Sequence, residues 1–296
     1  MPGRALGRAG DPMLLTRQEM TFDFGGATFD VERDRDLLAW IFNQFLYGEV
    51  TGIQVGHWIQ EAPNLAAADF FAKQCLQELL HIKSFKRCFE ILGVPPRAPH
   101  RAVRMLSSDF IGGTFEEHVA LEMAQGEGFV LLIFYALIDT IEHPEIKKLL
   151  ARAAPQEEQH VGFGEAETVK ALASNPKLRR HLLGITLAGL SIATRFSSRL
   201  DRFLPFDPNH PVLRQFPAFL RFGIDVAELR LRRLGLLDRP LAEMGRLRTL
   251  GLVAPALARR YGRILWPFRR RRRLTDTYLT DPGIVNGAMR PSGASR

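Results

Sequence analysis

Only two cysteines, Cys75 and Cys88, occur in 296 residues. Two thiols can neither staple a secreted scaffold nor build a thiolate zinc site. On what reads as one helix they stand roughly 20 Å apart, so no disulfide joins them and a reducing compartment is expected. Long apolar runs are also missing. The longest uncharged stretches, Gly128–Ile138 and Leu182–Ala193, fall short of the ~18–20 residues that cross a bilayer, which argues against integral insertion. A secretion signal is not expected either, because Arg4, Arg8, Asp11 and Arg17 interrupt any apolar core near the start. The resulting expectation is a cytoplasmic protein. Acidic residues are absent from Arg259 to Arg273, where eight arginines fall; without those eight the net charge of +8 vanishes. The body of the chain is therefore neutral, which is unlike a uniformly basic nucleic-acid binder.

With 46% apolar and 24% charged residues, the chain can bury a real core. Residues 1–32 read as a loose arm followed by a small β-hairpin: Phe22, Phe24, Phe29 and Val31 alternate around Gly25-Gly26. Helical periodicity then takes over. Leu37, Leu38, Ile41, Phe42, Phe45 and Leu46 space a first helix over Asp34–Glu61. Asn64 caps a second that stops at Gly93 and Pro95-Pro96. A connector of about 20 residues, with a helical piece near Ala102–Leu106, precedes a third helix. Thr114 and Glu117 form its capping box, and it reaches Ile141. A fourth runs from His143-Pro144 to about Ala173, with Pro155 inside it expected to cost an internal hydrogen bond or to kink it. The fold class is all-α: residues 33–175 as a four-helix bundle of ferritin-like connectivity, residues 176–265 as a helical extension, and 266–296 as a basic tail.

Chemistry concentrates in two Glu-x-x-His motifs. Glu78 and His81 lie in the second helix, Glu157 and His160 in the fourth. A three-residue offset puts carboxylate and imidazole on one helix face, where both can bind one metal ion. The motifs echo each other as Gln77-Glu78-x-x-His81 and Gln156-Glu157-x-x-His160. The first and third helices each offer a glutamate directly after a glycine, Glu49 and Glu127, at a depth that matches the motif of the adjoining helix. Leu46, Val50, Phe85, Leu131 and Phe163 are expected around this group. Four carboxylates buried in apolar surroundings need compensating cations, and oxygen plus imidazole donors suit iron or manganese. Glu122 and Glu158 are neighbouring alternatives for Glu127 and Glu157. His57, His118, Tyr47 and Tyr135 read as structural rather than reactive.

The six positions resemble the ferritin-like dinuclear-metal carboxylate superfamily, whose members include ribonucleotide reductase small subunits, acyl-carrier desaturases, rubrerythrins and tRNA hydroxylases of similar bundle type. The resemblance covers about Asp34–Ala173. It implies Glu49 and Glu127 as single-helix ligands, Glu78 and Glu157 as bridges, and His81 and His160 as terminal ligands to two iron ions, or to a manganese–iron pair. It further implies a non-haem oxygenase or oxidase that takes O2 as co-substrate and needs an external electron donor. Where the reductases carry a radical tyrosine, this chain has Phe85, so a stored tyrosyl radical is not expected. A 120-residue extension departs from ferritins, and a Cys-rich iron domain as in rubrerythrins is lacking.

The expected substrate is small, lipid-like or carrier-bound acyl, suggested by the apolar shell and by the aromatics interleaved with Arg259–Arg273, which suit an anionic membrane surface. The glycines at Gly126/Gly128 and Gly184/Gly189 are read as leaving room for an elongated ligand between helices or as only permitting close packing. A tRNA-modifying hydroxylase using the same arginines on phosphate, and a ferroxidase or peroxide-scavenging protein without organic substrate, stay open beside it. A homodimer is compatible with all three.

Overall fold

A computed structural model of the chain describes residues 13–101, 103–104, 113–197, 207 and 209–264. The expected helical piece near Ala102–Leu106 lies largely outside these residues, as do the tail and most of Arg259–Arg273. The described chain is mainly helical.

Helix α1 spans Arg35–Gly52 and tightens into a 3-10 segment, Ile53–His57, and a last turn, Trp58–Glu61. Helix α2, Leu65–Leu92, starts where the Asn64 side chain accepts from Ala67 N–H and ends on Gly93 in the left-handed conformation, φ 65°. Helix α3, Phe115–Thr140, opens on the Thr114 cap, widens into a π-helical stretch over His118–Glu127 and returns to α geometry from Gly128. Helix α4, Pro144–Ser174, begins on His143 and runs unbroken through the exposed Pro155. Three more follow: α5 (Leu178–Ser197), α6 (Pro211–Arg233) and α7 (Arg246–Ile264).

Short turns join α1 to α2 and α3 to α4, and each pair packs along its length, while α4 also meets α2. Every one of these helices passes from one apolar cluster to another. Val55, Trp58, Phe71, Val119 and Met123 form the first, and Phe42, Phe45, Phe85, Leu131 and Phe134 belong to the second. The polar residues at Glu49, Glu78, Glu127 and Glu157 occupy the positions between.

The N-terminal hairpin is not formed. Gly25 and Gly26 do make a turn with positive φ, but the flanking rings take helical partners. Phe24 packs on Phe219 of α6, Phe22 on Phe219 and Phe222, and Phe29 stacks on His210. The backbone of Phe29 bridges to the α3–α4 turn, donating to Thr140 and accepting from Glu142 at 2.9 and 3.1 Å. An alternating aromatic pattern signals one buried face, and here the helices supply what that face needs.

Three glycines are close-contact points rather than ligand space. A Cβ on Gly164 of α4 would fall 2.5 Å from Met123 Cβ and 2.7 Å from Ala124 N, against the π-helical stretch. One on Gly184 would sit 2.3 Å from the Leu252 carbonyl of α7, and one on Gly128 would sit 2.2 Å from the Arg230 guanidinium. Because backbone cannot step aside as a flexible side chain can, Gly164→Ala is expected to destabilise the chain by about 3 kcal/mol, the upper range for overpacking, measured as a shift in the urea midpoint at unchanged slope. A loss below about 1 kcal/mol would mean that α4 does not need this approach.

By length and composition α3 is apolar enough to cross a membrane, and 56% of its most apolar window is buried within the protein. The uncharged run Gly128–Ile138 is shorter, because Glu127 precedes it.

Candidate metal centre

The six side chains singled out above meet in one buried cluster. Glu49, Glu78, His81 and Glu157 form one group of potential ligand atoms within 4.8 Å of one another; Glu78, Glu127 and His160 form a second. Glu78 is common to both. The alternatives point elsewhere: Glu122 takes the Nδ1 of His118 at 2.6 Å, and Glu158 accepts from the Tyr135 hydroxyl at 2.7 Å. His57 is exposed and bonds the Gln54 carbonyl. Val50, expected beside the cluster, is 48% exposed, since one residue beyond Glu49 turns it about 100° away.

His81 Nδ1 lies 3.1 Å from Glu49 and 3.0 Å from Glu157. His160 Nδ1 lies 3.6 Å from both Glu78 and Glu157 and 3.8 Å from Glu127. The opposite nitrogens are held by the residues that echo in the two motifs, crosswise. His81 Nε2 meets Gln156 Oε1 at 2.8 Å, and His160 Nε2 meets Gln77 Oε1 at 2.7 Å. Each motif's glutamine thus secures the other motif's histidine. With an amide oxygen accepting from Nε2–H, Nδ1 is left to face the carboxylates. Gln74 donates to Glu127 at 3.0 Å. Gly52 is a cradle for Glu78: a Cβ there would lie 2.8 Å from the Glu78 carboxylate oxygen.

No lysine or arginine neutralises the four carboxylates among the described residues, and the histidines leave the cluster short of positive charge. Burial pushes Glu49, Glu78 and Glu127 upward from the ordinary carboxylate value, and neighbouring carboxylates add to it, most strongly at Glu78 and Glu127. Burial alone would also raise Glu157, but His160 and His81 hold it at about 2. At His81 burial opposes the charged ring, yet the Glu157 and Glu49 carboxylates prevail and push it up to about 11.

Among the described residues, the buried side-chain atoms without a hydrogen-bond partner include Glu127 Oε2 and His160 Nδ1, both facing the cluster. Buried polar atoms are rarely left so, and a cation between them would satisfy both. The donor set, oxygen and imidazole without sulfur, fits a hard or borderline metal. A buried group of Glu and His that could hold a metal ion is therefore present.

Gln74, Gln77, Gln156 and Gly52 were not assigned from the sequence as parts of the centre. The repeated Gln-Glu was its one visible trace. No family model, curated protein or solved structure matches this chain, so the centre is defined by its own geometry.

Proposed function

We propose that α1–α4 constitute a ferritin-like four-helix bundle holding two iron ions, or a manganese–iron pair, and that the chain is an oxidoreductase that uses dioxygen to oxidise an apolar organic substrate. The observation that carries this reading is the pair of ligand groups sharing Glu78, each containing one histidine strapped by the other half's glutamine. Glu49, Glu78, His81 and Glu157 would hold one ion, and Glu78, Glu127 and His160 the other. Two such ions in one centre supply the electrons for reducing dioxygen in concert.

The chain's own residues prepare that centre. Gln77 and Gln156 keep a proton on Nε2 of each imidazole, so that Nδ1 offers its lone pair once a metal displaces the proton there. Phe70 and Phe163 stack at 3.8 Å beside His160, and Phe45 and Phe85 stack at 5.4 Å beyond the cluster. These rings exclude bulk water from the carboxylates and leave an apolar surround suited to a lipid-like or carrier-bound acyl substrate.

Exposure of the iron(II)-loaded chain to oxygen tests the reading. A charge-transfer band in the near ultraviolet, with one O2 consumed per two iron ions, is expected. Unchanged spectra and no oxygen uptake by loaded protein would defeat it. The glutamine straps make a separate expectation: Gln156→Leu should weaken metal affinity roughly 10–100-fold, the usual effect of removing a ligand's outer partner, while Gln156→Glu, which still accepts from Nε2–H, should retain binding. A competitive chelator titration reads both, and equal affinity in the Leu variant would remove the positioning role.

A further inference from the structure

Helix α7 has apolar side chains on two opposite faces, and within the described residues only one is covered. Leu252, Val253 and Ala256 turn inward onto α5, over Gly184. At about 100° per residue, Leu247, Leu250, Ala254 and Ala258 fall together on the far side. Leu247 is 88% and Leu250 62% exposed; the two alanines are exposed as well. Arginines edge this stripe on both sides. Arg246 lies along one border and Arg248 and Arg259 along the other, all three exposed. Beside the Arg248 border is an open cleft of about 370 Å³ whose lining includes Arg179, Arg180, Arg248 and Asp238, with Arg248 3.5 Å from the Asp238 carboxylate. From Met244 to Thr275 the chain has ten arginines and no acidic residue.

We infer that the outer face of α7 is a docking surface for an anionic lipid bilayer. The helix lies parallel to the membrane, with Leu247 and Leu250 among the upper acyl carbons and the bordering arginines at the phosphate level. An apolar stripe between cationic borders is what an interfacial helix requires, and the arginine cleft places additional donors where headgroup phosphates sit. A nucleic acid would use the arginines but gain nothing from two exposed leucines between them. A second copy of the same face would oppose arginine to arginine. The inference does not depend on the metal centre.

Co-sedimentation of the full chain with vesicles tests it, using phosphatidylcholine alone and phosphatidylcholine mixed with phosphatidylglycerol. Binding to the anionic vesicles and not to the neutral ones is expected. Leu247→Ser/Leu250→Ser, which leaves the charge untouched, should weaken that binding by about tenfold or more through lost apolar insertion, with unchanged retention on heparin and an unchanged melting curve. Wild-type-like vesicle binding by the Ser variant, no binding by the wild type, or a dimer in gel filtration that the Ser variant abolishes would each overturn it.

Discussion

A Glu78→Ala chain is expected to retain neither metal ion. Glu78 is the residue common to both groups of potential ligand atoms, so its loss removes a donor from each position at once. Metal analysis after loading should fall from two ions per chain to none; two ions in the variant would show that the ligands have been assigned wrongly.

The same carboxylate has the opposite effect on the metal-free protein. A glutamate whose folded value is raised contributes its stability below the ordinary 4.5 and loses it as pH rises through the folded value. Glu49 and Glu127 behave alike. His81, pushed up to about 11, likewise contributes below its ordinary 6.5 and loses that contribution as pH rises toward 11. Glu157, held at about 2, contributes above 4.5 and loses it as pH falls toward 2. The metal-free chain should therefore be most stable near pH 4.5 and weaken as the pH rises above it, with His81 adding to the loss above 6.5. Glu78→Gln, which keeps the volume and removes a buried charge, should flatten that decline and raise the melting temperature at alkaline pH. Metal should abolish the decline in the wild type only. A Gln variant that melts lower than wild type at every pH would contradict this.

Breaking the buried ion pair between α4 and α6 is expected to have the largest effect on stability. Arg230 and Glu165 are 1% and 2% exposed, with Nε and Oε1 at 2.8 Å. Burial works against both charges, raising Glu165 and lowering Arg230, and each is tolerable only beside the other. The second Glu165 oxygen accepts from Leu14 N–H at 2.6 Å, and Arg230 also reaches Met20 Sδ. The pair therefore ties the N-terminal segment and α6 onto the helix that carries Glu157 and His160. Arg230→Met strands a buried carboxylate and should cost about 3–5 kcal/mol. Adding Glu165→Gln, which neutralises the site and keeps the acceptor for Leu14, should restore most of that loss. Urea denaturation of the two variants reads both values. A single variant losing under about 1 kcal/mol would mean the carboxylate is hydrated after all.

The helical order and the six clustered side chains were legible because each is a local signal. Caps at Asn64 and Thr114 and the stop at Gly93 depend on a few neighbouring residues, and a three-residue offset puts Glu78 with His81 on one face whatever the tertiary context. Features made by contact between distant segments were hidden. Phe22, Phe24 and Phe29 alternate as a strand would, yet α6 and the α3–α4 turn capture them. The π-helical widening at His118–Glu127 is permitted by Gly164, a residue 37 or more positions away on another helix. Gln77 and Gln156 repeat visibly, but their crosswise grip on His160 and His81 exists only once α2 and α4 are packed. Gly128 and Gly184 read equally as ligand space or as close packing, and only their neighbours, an arginine and a backbone carbonyl, decide for packing.

Metal content per chain tests the central claim most directly. The protein would be loaded anaerobically with iron(II), freed of excess metal by gel filtration and analysed by plasma mass spectrometry alongside Glu78→Ala. Two ions in the wild type and none in the variant are the expected result. One ion or none in the wild type would contradict a dinuclear centre and leave the buried carboxylates without the cations their geometry calls for.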